Sequence, residues 1–186
     1  MNNVTHKLLN ELEKKVKSFI PKREYRNDKF MVITLQEAIA AAKEGNFGVG
    51  AVLVRENGEI VQRGHNHVFK PYFRSDLHAE MDVMTKFEER FKEVENLKGF
   101  ILYTSLEPCP MCLARLISSG VRKIYYAARD KDGGMVHRLK HMSPVWIELA
   151  QRQEFALAQC SPELRDIALQ IFLTTANENN SKLQKR

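Results

Sequence analysis

An apolar, β-branched run at residues 49–55 meets Asn57-Gly58 and returns at residues 60–63. Asn-Gly readily adopts the positive φ angles of a two-residue hairpin turn, so these two runs pair as antiparallel strands. The other strand-like runs, at 100–104, 121–127 and 154–158, stand singly between helical segments. Single strands alternating with helices give an α/β layer fold, and an antiparallel hairpin joined to such units makes the sheet mixed.

The helical segments follow from spacing. Val4, Leu8, Leu12, Val16 and Ile20 recur every four residues, which predicts an amphipathic helix over 4–20 ending at Pro21. Further helices are expected at 32–43, closed by Gly45, at 77–91, at 108–119, closed by Gly120, at 144–152 and at 162–174. Polar residues 22–29 form a linker candidate, and the polar tail from Asn177 is expected to fray. The expected organisation is an N-terminal helix and linker (1–29), one central domain (30–176) and a tail (177–186). A chain of 186 residues is long enough for one domain with a proper core and short for two.

Mean hydropathy is −0.39, and the longest apolar runs, such as 49–54, are too short to cross a bilayer. The first residues lack a basic-then-apolar signal pattern, so neither a membrane nor a secreted location is expected, and the cytoplasm is. Three cysteines, two of them as Cys109-x-x-Cys112, do not make a disulfide framework and suggest reduced thiols forming a metal or a redox pair. Net charge is +6, concentrated at 1–30, at 121–141 and in the last ten residues. That permits an anionic partner such as RNA, although solvated charged faces give the same arithmetic.

The residues able to do chemistry are His78-Ala79-Glu80 and Pro108-Cys109-Pro110-Met111-Cys112. One imidazole and two thiolates are usual zinc ligands, and three protein ligands with an open position describe a catalytic rather than a structural site. The two cysteines open a helix, whose dipole favours thiolate over thiol. Glu80, two residues after His78, is better placed to reach a water on the metal than to ligate it. Taken alone, each half is weak: HxE occurs by chance in many helices, and CxxC serves redox and structural zinc sites. No second CxxC completes a four-ligand structural site, and the position after residue 108 is wrong for a thioredoxin-like pair.

Together, H-x-E…P-C-x-x-C is the signature of the zinc-dependent nucleobase deaminases, and the chain resembles the cytidine/deoxycytidylate deaminase superfamily. Within it, the chain is similar to bacterial tRNA adenosine deaminases, guanine deaminases and yeast-type cytosine deaminases. The likeness is carried by Gly50-Ala51-Val52-Leu53-Val54, Gly64-His65-Asn66, His78-Ala79-Glu80 and the run from Leu102 to Cys112. The resemblance implies a three-layer α/β/α fold with a five-stranded mixed sheet, to which the N-terminal helix is an addition. It also implies a homodimer and a hydrolase acting on C–N bonds of cyclic amidines. His78, Cys109 and Cys112 would hold Zn²⁺ and Glu80 would shuttle the proton. Asn66, Val49, the Ala79 N–H and Pro108 would contact substrate. The expected substrate is a small amino-substituted nucleobase, nucleoside or related heterocycle. The alternative is an adenosine in a tRNA anticodon loop.

Several positions depart from the relatives. Gly48 stands where the tRNA enzymes usually carry proline, Arg74-Ser75-Asp76-Leu77 precedes His78, and Ala114-Arg115 replaces a small pair after Cys112. Residues 129–146 match none of the three groups and suggest a lid, with His137 or Arg138 meeting substrate and Trp146 either stacking on a base or sitting in the core. Phe69, Tyr72 and Phe73 fit a pocket edge or a packed loop equally well. His65 and His67 are not needed as ligands, and Cys160 reads as a small buried residue.

Overall fold

A computed structural model describes residues 3–186. Along the chain run α1 (Asn3–Ser18), α2 (Asp28–Glu44), β1 (Gly50–Arg55), β2 (Ile60–His65), α3 (Ala79–Arg90), β3 (Phe100–Leu106), α4 (Pro110–Ser119) and β4 (Lys123–Ala128). A short 3₁₀ turn (Val136–His141), α5 (Pro144–Ala150), β5 (Glu154–Leu157) and α6 (Pro162–Gln184) complete it. The sheet order is β2-β1-β3-β4-β5. β1 pairs antiparallel with both β2 and β3, while β3–β4 and β4–β5 are parallel, so the sheet is mixed as the hairpin requires.

Helices α2 and α6 cover one face and α3 lies on the other with α4 beside it. This is the expected three-layer arrangement. β1 is buried over nearly its whole length, as a central strand covered on both faces must be. The added α1 lies outside the layers, setting Leu9, Leu12 and Val16 against α2 and α6. Burying an apolar stripe at four-residue spacing is what a surface helix of this pattern does. Ile20, at the end of the same stripe, is exposed because the helix stops at Ser18.

Residues 22–29 are not a loose connector. Asn27 and Asp28 are buried, and α2 begins at Asp28 rather than Val32. Both Asp28 carboxylate oxygens accept from Ser161, one from its N–H and one from its hydroxyl, each at 2.6 Å. Asn27 exchanges bonds with the Gln159 backbone and donates to the Tyr103 hydroxyl. The start of α2 is thereby stitched to the start of α6. A buried polar group is tolerated only when bonded in this way, and Asn27 and Asp28 anchor a segment whose other charged residues, Lys22, Arg23, Glu24, Arg26 and Lys29, stay exposed.

The tail also differs from expectation. α6 does not end near Thr174 but continues through the polar stretch to Gln184. Thr175, Ala176 and Asn179 are buried along one side of this continuation, and a Glu178–Lys182 ion pair at 2.8 Å supports the other. Arg115 is half-buried and reaches from α4 to α3, donating to Thr85 Oγ1 at 2.9 Å and to Glu88 at 2.8 Å. The bulky cation after Cys112 thus braces two helices of its own subunit.

Candidate active site

Two helices begin at the same place. His78 is the residue before α3 and Cys109 the residue before α4, both with extended backbone. Pro110 at the first position of α4 suits a helix start, since its missing N–H would have no partner there. Cys112 follows one turn into α4. His78, Cys109 and Cys112 each offer one donor atom, and these atoms lie within 4.8 Å of one another. His78 Nδ1 and Cys109 Sγ are 3.5 Å apart. The expected trio therefore converges.

Electrostatics prepare the donors. The hydrogen bond with Cys112 holds the Cys109 thiol down at about 4 against its burial, and the bond to His78 adds to the drop. Cys112 is pushed well above the usual thiol range, first by its bond to Cys109 and then by burial. For His78, burial is the largest single influence and opposes the charged imidazole, but the bond to Cys109 together with the charges of Cys109, Glu80 and Asp76 outweighs it and raises the pKa. Three soft donors thus share protons at the mouths of two helix dipoles, which favour anionic sulfur. A divalent ion replaces those protons, and an N₁S₂ set suits zinc.

Glu80, in the first turn of α3, is buried and accepts from the Thr104 hydroxyl at 3.0 Å through Oε1. Burial, followed by the charge of Cys109, raises its pKa. His78, Glu80 and Cys109 line one wall of a cavity of about 210 Å³. Asn66 and Val49 line another, with the Asn66 N–H bonded to the Val49 carbonyl at 3.0 Å. Ala79 is fully buried at the first position of α3, where a backbone N–H has no intrahelical partner. Pro108 is buried and is not among the residues lining the cavity; its carbonyl accepts from Met135 N–H at 2.9 Å.

Residues 24–128 match the cytidine and deoxycytidylate deaminase zinc-binding region. The chain belongs to that family. It is 40% identical over 111 residues to the tRNA-specific adenosine deaminase of Bacillus subtilis, covering 59% of this chain and 66% of that enzyme. The guanine deaminase of the same organism is 36% identical over 103 residues, covering 53% of this chain and 64% of that one. A solved tRNA:A34 deaminase superposes with a TM-score of 0.60 at 31% identity, covering 69% of this chain and 96% of that chain. The guanine deaminase of Nitrosomonas europaea shares the fold at TM-score 0.62 and 24% identity, covering 87% and 90%. As a zinc-dependent deaminase, the chain has zinc as its cofactor, and His78, Cys109 and Cys112 form a group able to bind it.

The deaminase cavity also uses residues that the motifs do not reveal. Glu107 lines it, with Oε1 accepting both the N–H and the ring Nδ1 of His137 at 2.8 Å and Oε2 accepting from Asp130 N–H at 3.3 Å. This carboxylate ties the 129–146 segment to the metal-side wall, and Asp130 and Gly133 from that segment line the cavity. His137 is therefore engaged by Glu107, while Arg138 donates to the Lys131 and Asp132 carbonyls. Trp146 packs against Leu113, Ile117 and Ala150 in a small second core, the structural alternative of the two open for it. Tyr72 is exposed, and neither Phe69, Tyr72 nor Phe73 lines the cavity. Cys160 is fully buried.

Above the metal wall, α6 contributes Phe172, Asn180 and Leu183. Gly48 makes this approach possible, because a Cβ there would lie 2.7 Å from the Ile171 side chain and backbone oxygen. Its N–H also donates to Thr175 Oγ1 at 2.9 Å, a bond that proline would remove. The glycine that departs from the tRNA enzymes is where α6 docks.

Proposed function

We propose that the chain hydrolyses the exocyclic amine of a free nucleobase, nucleoside or related amino-heterocycle, releasing ammonia. His78, Cys109 and Cys112 hold the zinc and Glu80 moves the proton. The observation that carries this reading is the buried Glu80 carboxyl lining the same cavity as His78 and Cys109, two of the three converging donors. Zinc bound there supplies a Lewis acid and a nucleophile at neutral pH. The Thr104 hydroxyl holds Glu80 in place through Oε1. Glu80 takes one proton from the attacking water and passes it to the ring nitrogen beside the amine-bearing carbon. It then takes the remaining water-derived proton from the new hydroxyl and passes it to the departing amine, which leaves as ammonia as the carbonyl forms.

Phe47, Val49, Leu106 and Phe172 give apolar walls suited to a flat ring. The Asn66 side-chain oxygen accepts from Val68 N–H at 3.1 Å, so its amide NH₂ is the group left to donate to substrate. The Ala79 N–H completes the polar contacts, whereas the Pro108 carbonyl is engaged by Met135 N–H. On this reading the catalytic unit is residues 30–176, and the continuation of α6 supplies the roof. The protein acts as a cytoplasmic homodimer; among the described residues no helix is long and apolar enough to cross a membrane.

A tRNA substrate is the second reading, favoured by the 40% identity to a tRNA-specific enzyme and the net charge of +6. An anticodon-loop base must be splayed into the pocket with its backbone attached. Phe172, Asn180 and Leu183 roof the space through which that backbone would pass, and this favours a small substrate. An ammonia-release screen over guanine, adenine, cytosine, cytidine, guanosine, pterins and triazines, alongside bulk tRNA, tests the choice. The expected result is turnover of at least one free compound without inosine formation in tRNA. Turnover of tRNA alone would replace the first reading with the second.

A further inference from the structure

A second set of metal-binding side chains lies outside the N₁S₂ centre. Glu44 ends α2, His65 ends β2 and His67 follows two residues later. Their donor atoms also lie within 4.8 Å of one another. The two imidazole rings sit 4.3 Å apart, centroid to centroid. His65 Nε2 lies 3.2 Å from both Glu44 carboxylate oxygens, and His67 Nδ1 lies 3.6 Å from one of them.

The far side of each ring is equally organised. His65 Nδ1 is 2.9 Å from Glu37 Oε2, and His67 Nε2 is 3.8 Å from Asp82 Oδ2. Each imidazole therefore turns one nitrogen toward Glu44 and has a carboxylate behind the other. For His65, the Glu37 carboxylate at hydrogen-bond distance fixes the tautomer and raises the basicity of the nitrogen in front, the arrangement found behind metal-bound histidines. Asp82 Oδ2 stands behind His67 at longer range and is bonded to Lys86 at 2.6 Å. Ordinary ion pairing accounts for His65 between Glu37 and Glu44. His67 is held less closely: its contacts to Glu44 and Asp82, at 3.6 and 3.8 Å, are at ion-pair distance but too long for hydrogen bonds. Both histidines are mostly buried, at 15% and 19% side-chain exposure, while Glu44 is 45% exposed and leaves a way in.

We propose that Glu44, His65 and His67 bind a second divalent transition-metal ion, zinc or its neighbours in preference to calcium or magnesium, separate from the ion at His78, Cys109 and Cys112. Two imidazoles and a carboxylate select that class, and water completes the shell on the open side. Bond lengths of about 2.0–2.2 Å require neighbouring donors some 3–4 Å apart, close to the spacing already present. The ion braces the backbone on both sides of Asn66, which lines the cavity.

Untagged protein brought to equilibrium with micromolar zinc, then assayed for bound metal per chain, tests this. The wild type should carry about two zinc ions, and His67→Gln and Glu44→Gln about one each. Cys112→Ser should also fall to about one, retaining the second ion. A wild type that saturates at one zinc overturns the proposal while leaving the first centre intact, and so does retention of two in both His67→Gln and Glu44→Gln. An unchanged count in Cys112→Ser would instead count against the first centre.

Discussion

Glu80→Gln is expected to leave bound zinc unchanged and to lower ammonia release by about 10²–10⁴-fold, the usual contribution of a positioned acid–base group. The amide matches the carboxylate in shape, so its oxygen still accepts from Thr104 and the cavity wall stays filled. What disappears is the ability to take up and hand on a proton. The surroundings tune the native carboxyl for proton transfer. Burial first, and then the charge of Cys109, raise its pKa above the usual carboxyl value, which favours uptake of a proton. Metal analysis and ammonia assay on the same preparation check the result. A variant with normal metal and normal turnover would remove Glu80 from the chemistry.

Cys112→Ser is expected to abolish zinc retention at the N₁S₂ centre, reduce turnover to background and lower thermal stability. Cys112 is buried in the first turn of α4, and its bond to Cys109 holds the latter's thiol near 4. A serine hydroxyl at the same place is a poor zinc ligand and removes that support. Loss of an outer partner behind a ligand typically costs 10–100-fold in metal affinity, and loss of a ligand should exceed about 100-fold. With free zinc at about 100 times its dissociation constant, binding stabilises the folded chain by about 2.7 kcal/mol. For a chain of this size that corresponds to a fall of roughly 5–10 °C in Tm. Thermal unfolding with and without a chelator checks it in the His67→Gln background, where only the first centre is filled. The single variant should drop by that amount on chelation, and the protein that also carries Cys112→Ser should shift far less.

What could be read from the sequence was local. The Asn57-Gly58 signal predicted the hairpin and hence the mixed sheet because turn chemistry is local. The turn is nevertheless a three-residue one over 56–58 in which Gly58 alone has a positive φ, and not the expected two-residue turn. His78, Glu80, Cys109 and Cys112 were visible because each motif spans one helix turn. The missing parts join distant segments through polar groups. Asn27 and Asp28 read as linker residues, yet their partners lie more than 130 positions away at Gln159 and Ser161. The roof of the cavity was hidden because Asn179 and Asn180 broke the apolar periodicity that marks a helix, although Leu183 continued it. Glu107 stands beside the cysteine motif, but its hold on His137 depends on how the 129–146 segment folds back. Likewise, Glu44, His65 and His67 come from two elements and a loop, a convergence that no spacing announces.

The deaminase chemistry rests on one imidazole and two sulfurs holding a single zinc with a vertex free. Zinc-edge X-ray absorption on the His67→Gln protein loaded with one equivalent of zinc tests it most directly. The expected shell has two sulfur neighbours at about 2.3 Å, one imidazole nitrogen at about 2.0–2.1 Å and one further light atom from solvent. A shell with fewer than two sulfurs, or with four protein donors and no solvent position, would contradict it.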